Sequence, residues 1–98
     1  MSQHIYKAVN SVGQPLTILL GYDRPLDFVF CTVIAANDEV LYCNLDDPNA
    51  GTDQQDVNYY RPLLRELGVT VPDSIYREVI SDQRLRVGNR LVVHTEGE

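Results

Sequence analysis

Ninety-eight residues, 44% of them apolar and 22% charged, describe one small globular domain spanning 1–98, with a stability margin of about 5–15 kcal/mol. Fourteen Asp and Glu against eight Lys and Arg give a net charge of −6, which argues against general binding to nucleic acid. No run approaches the ~18 apolar residues of a membrane span, so no membrane partner is expected.

Residues 4–9 read as a short first strand, with Ile5, Lys7 and Val9 on one side and Tyr6 and Ala8 on the other. Residues 10–15 connect it to the most apolar part of the chain, a three-stranded meander over 16–22, 27–34 and 40–45. In the first of these, Leu16, Ile18, Leu20 and Tyr22 share a face by alternation. Asp23-Arg24-Pro25 is turn chemistry, and Asn37-Asp38 tolerates the left-handed backbone of a hairpin loop. Pairing Tyr22 with Asp27 and Ala35 with Glu39 gives one apolar wall of Leu16, Ile18, Leu20, Val29, Cys31, Val33, Leu41, Cys43 and Leu45. The opposite wall, Thr17, Leu19, Phe28, Phe30, Thr32, Ile34, Val40 and Tyr42, is also largely apolar. A sheet with one wet face does not show this.

Residues 46–51 have loop composition. Thr52 and Gln55 fit a capping box, and Val57, Tyr60, Leu63 or Leu64, and Leu67 follow helical spacing, which predicts a helix over about 53–67. Pro62 kinks it or divides a loose first turn from a firm second half, and Gly68 suits the position after its end. A second helix over about 72–82 opens at Pro72 and buries Ile75 and Val79. Residues 85–94 read as a strand or a small hairpin turning at Gly88-Asn89, and 95–98 as a frayed tail. Strands, two helices and more strand make an α+β domain, an antiparallel sheet with both helices on one face.

Five groups of residues are candidates for chemistry. Cys31 and Cys43 oppose each other on the expected register, close enough for a bridge or a soft metal, but no further ligands are placed beside them, and two core hydrophobes are the plainer reading. Residues 46–53 resemble a calcium loop, yet Pro48, Ala50 and Val57 fall on ligand positions. Arg84 and Arg86 share a strand face, with Arg90 and Arg77 in reach, as an anion or nucleic-acid site or a solvated face. Phe28, Phe30 and Tyr42 form a wall left for a partner if the helices cover the other one. Tyr59, Arg61 and Arg65 are residue types favoured at binding hot spots. No nucleophile elbow, phosphate loop or H-E-x-x-H motif is present, so neither an enzyme, a metal nor a cofactor is expected.

Charge is segregated. Residues 25–60 contain no Lys or Arg, whereas 61–90 hold Arg61, Arg65, Arg77, Arg84, Arg86 and Arg90. The opening Met1-Ser2-Gln3-His4 has no basic region followed by an apolar one, so a cytoplasmic protein with free thiols is expected. The tracts 15–26 and 41–45, Leu67-Gly68-Val69-Thr70-Val71-Pro72, and Arg86-Val87-Gly88-Asn89-Arg90 resemble small uncharacterised bacterial proteins of similar length. That resemblance implies a bacterial cytoplasmic protein and assigns no functional residue. The expected function is a non-catalytic protein–protein interaction module, a small acidic regulator, adaptor or inhibitor, with a protein partner or a second copy in a homodimer as its expected contact. The alternatives are nucleic-acid binding through the arginines, and a mobile-element inhibitor whose acidic surface imitates phosphates.

Overall fold

The computed structural model describes residues 2–25, 28–50 and 56–94. Asp27, the capping box at Thr52 and Gln55, the first residues of the expected first helix and the 95–98 tail lie outside them. Alternating side chains build β1 (Ser2–Val9), β2 (Pro15–Asp23), β3 (Phe28–Ala35) and β4 (Val40–Cys43), and β5 (Arg90–His94) returns from the far end of the chain. The sheet order is β4-β3-β2-β1-β5. The first four strands pair antiparallel, while β5 runs parallel to β1. The sheet is therefore mixed, which corrects the expectation of a purely antiparallel one. A parallel neighbour needs a crossover, and the two helices supply it.

Helix α1 (Arg61–Glu66) follows a 3-10 turn over Val57–Tyr60, the division expected around Pro62, which sits where no amide hydrogen bond is lost. It ends at Gly68 (φ 79°), with the Gly68 amide donating to the Arg65 carbonyl and the Val69 amide to the Leu64 carbonyl. Helix α2 (Asp73–Arg84) turns Ile75, Tyr76 and Val79 inward. It stops with the same pattern of bonds, Arg86 to Gln83 and Val87 to Asp82, but here Arg86 holds the left-handed position (φ 53°). Residues 85–87 are thus the cap of α2, not the first arm of a hairpin, and only the strand half of that expectation survives.

Both helices lie on one face and close the wall of Leu16, Ile18, Leu20, Val29, Cys31 and Val33. The registers differ from those expected. Tyr22 pairs with Val29 and Leu16 with Ala35, a shift of two residues that keeps every side chain on its face. The last hairpin begins as expected, with the Ala35 amide donating to the Glu39 carbonyl and Ile34 opposite Val40. A β-bulge then sets Tyr42 opposite Val33 and Cys43 opposite Thr32, so Cys31 and Cys43 are not paired. Leu45 leaves the sheet in a 3-10 turn over Asn44–Asp46 and is 81% exposed. The buried Asn44 explains the stop, because its side-chain oxygen takes the Cys31 amide that another strand residue would have bonded.

Candidate functional site

The side of the sheet away from the helices is the first candidate. The pairings place Val93, Ile5, Leu19, Thr32 and Cys43 in one row across all five strands, and Leu91, Gln3, Gly21 and Phe30 in the next. Gly21 matters because a Cβ there would stand 2.5 Å from Phe30 Cζ and against the Ser2 carbonyl. The Phe30 ring lies against the glycine, in the space a Cβ would take. Phe28, Phe30, Thr32, Cys43 and Leu45 line a shallow apolar groove beside Asp23. Leu91 and Val93 are 63% and 61% exposed. Among the described residues, no helix covers this face.

Of the sequence candidates, Phe28 and Phe30 are on this face and Tyr42 is not. The bulge turns Tyr42 to the helix side, where its ring packs edge-on against Tyr60 and its hydroxyl donates to Asp47 Oδ2 (2.7 Å). Tyr59 donates to the same oxygen (2.7 Å). The two phenols hold the Asp47 carboxyl below its usual range, with the Asn49 amide adding to the effect. Burial first, then the Asp47 bond, raises Tyr42, and the Asp47 bond raises Tyr59. Tyr60, fully buried, donates to the Val29 carbonyl (2.9 Å). This cluster anchors the 44–50 loop to the helices, so it is a brace.

Arg61 reaches across to α2. It pairs with Asp73 (2.7 Å) and stacks 4.0 Å from the centre of the Tyr76 ring, with Arg65 lining the same groove. The four arginines proposed for anion binding do not form one strand face, because Arg84 ends α2 and Arg86 caps it. Arg77 is exposed on α2. Arg90 is engaged by Asp82 (2.7 Å) and Glu78 (3.0 Å), and the Asp82 bond together with both charges holds its guanidinium above the ordinary value.

That pair leads to a second candidate, one the sequence reading missed. His4 Nε2 donates to Asp82 Oδ2 (2.7 Å), and His4 Nδ1 shares a hydrogen bond with His94 Nε2 (2.9 Å). The two rings stack with centroids 5.1 Å apart. His94 Nε2 also lies 3.5 Å from Glu78 Oε2. His4, Asp82 and His94 are buried. The signal was legible in part. Asp82 occupies the next turn of the stripe Ile75, Val79, and His4 continues the inward alternation below Tyr6, so each is a polar residue at an apolar position. His4, Glu78 and His94 bring one ligand atom each within 4.8 Å of one another.

Cys31 is buried, and burial, with Cys43 nearby, pushes its thiol up to about 12. At high dilution, where each chain stands alone, a thiol reagent is expected to label Cys43 first in native protein and both cysteines only in urea. Two fast-reacting thiols in the native state would contradict this packing.

No family model, curated protein or solved structure matches the chain. No helix among the described residues is long and apolar enough to cross a membrane.

Proposed function

We propose that the chain is a non-catalytic protein–protein interaction module whose contact surface is the open sheet face, and that its occupant is a second copy of the chain. The observation that carries this reading is the row Val93, Ile5, Leu19, Thr32 and Cys43, which crosses every strand on the side away from the helices.

Size supports it. Five strands about 4.8 Å apart and several residues long offer of the order of 500 Å² in projection. With side-chain relief this approaches the ~800 Å² per partner of a standard interface. Charge supports it as well. On the open face, among the described residues, Lys7 sits on β1 opposite Thr17, and Asp23 lies six residues further along β2, about 20 Å away. The surface between them is uncharged. A two-fold axis crossing the strands lays each sheet on the other with its ends exchanged, so Lys7 of one copy meets Asp23 of its partner. Sheets stacked this way sit about 10 Å apart with interdigitating side chains.

Sedimentation equilibrium tests the reading. The expected mass is twice 11.1 kDa, falling to the single-chain value in Leu19→Asp. A single-chain mass for the unaltered protein across the accessible concentration range would remove its basis.

A further inference from the structure

We propose that His4, His94 and Glu78 form a binding site for a zinc-type divalent cation, with Asp82 and Arg90 as the residues that orient the ligands. The site lies on the helix side of the sheet and is independent of the contact face proposed above.

The donor set comes first. Two imidazole nitrogens and one carboxylate oxygen suit zinc, and three protein ligands leave a fourth position for water. The spacing agrees. Zinc bonds of about 2.0–2.1 Å in a tetrahedral site set ligand atoms about 3.3 Å apart. The His4–His94 nitrogens are 2.9 Å apart, and His94 Nε2 is 3.5 Å from Glu78 Oε2, so the required distance lies between the two. The rings need to part by a few tenths of an ångström and Glu78, whose ligand atom lies within 4.8 Å of both nitrogens, to draw in towards His4; His94 is the last residue of β5, on the sheet's edge.

The outer shell is the second argument. A metal-bound histidine characteristically gives its other ring N–H to a carboxylate, which fixes the tautomer and aims the ligating nitrogen. His4 does this already, with Nε2 on Asp82 Oδ2 and Nδ1 directed at His94. Asp82 is held in turn by Arg90 through its other oxygen. Glu78 divides its carboxylate in the same way, with Oε1 on Arg90 and Oε2 towards the histidines. His4 and Glu78 therefore each have a partner, and the two partners are bonded to each other. Glu78 is about one-third exposed, which leaves an entry path for the ion.

The site joins three elements that are remote in sequence. His4 is on β1, Glu78 on α2 and His94 on β5. A bound ion clips the parallel edge strand to the sheet and to the helix above it. Formation of the site requires His94 to carry its proton on Nδ1 in place of Nε2, a tautomer shift through solvent with no net loss of a proton, and the His4–His94 hydrogen bond to be replaced by two bonds to the ion.

The test uses the full chain, stripped with a chelator and then titrated with zinc and, separately, with cobalt(II), whose visible absorption reports the ligand geometry. The expected result is one ion per chain, a four-coordinate cobalt spectrum and a raised unfolding temperature. Glu78→Gln keeps the side-chain shape and an acceptor for Arg90, and His94→Gln removes the imidazole at the end of β5. Each is expected to weaken uptake by at least about 100-fold, and Arg90→Gln by about 10–100-fold as an orienting residue. Circular dichroism of the stripped variants checks that they fold. No uptake by the unaltered chain, or uptake unchanged in the folded Glu78→Gln protein, overturns the proposal.

Discussion

Asp82→Ala is expected to cost the metal-free fold about 3–5 kcal/mol, read as lost unfolding free energy in urea. The side chain is 1% exposed and accepts from two partners at once, His4 through one oxygen and Arg90 through the other. Truncation removes both acceptors and leaves the buried His4 imidazole N–H facing a cavity, while Arg90, 39% exposed, keeps its bond to Glu78. The penalty is that of breaking a buried pair, which exceeds the net value of forming it. Against a total of about 5–15 kcal/mol this is a large fraction. Asp82→Asn keeps one acceptor and is expected to lose less. A loss below about 1 kcal/mol for the alanine variant would mean that the pair adds little to the closure of β5 on α2.

Leu19→Asp is expected to abolish self-association while leaving the single chain folded. Leu19 lies on the middle strand of the open face, flanked by Ile5 and Thr32. In one copy the new carboxylate stays partly wet, so the cost to the monomer is near the ~1 kcal/mol range of strand preferences. In the pair, symmetry buries two aspartates against apolar neighbours without counter-charges. At several kcal/mol for each unpaired charge, and 1.4 kcal/mol per factor of ten, the dissociation constant rises by roughly 1,000-fold or more. A variant that still sediments as a pair would place the contact elsewhere on the molecule.

The residues that announced the fold did so through alternation. Leu16, Ile18 and Leu20, then Val29, Cys31 and Val33, are inward as their spacing requires, and an error of two residues in the β2–β3 pairing cost nothing because the period of a strand is two. The bulge after Val40 was not legible. It inserts one residue without a glycine or a proline to mark it, and it moved Tyr42 and Cys43 to faces opposite those expected. The end of α2 was misread for a related reason. Arg86 fills a left-handed position that glycine usually takes, so 85–87 looked like strand and Gly88-Asn89 like the turn of a hairpin. Charge patterning also drew attention to the wrong arginine contacts. Arg90 belongs to an inward network with Asp82 and Glu78, and a linear sequence gives no hint that His4 and His94, ninety residues apart, share a hydrogen bond.

In the proposed pair, the open sheet faces of two copies meet. Mixing isotope-labelled with unlabelled chain allows methyl contacts across the pair to be separated from those within one copy. The expected spectrum shows intermolecular contacts from Ile5, Leu19, Leu91 and Val93, with Phe30 ring protons among their partners. A spectrum with no intermolecular contacts, or with contacts confined to Leu85 and the helices, would rule out pairing through the open sheet face.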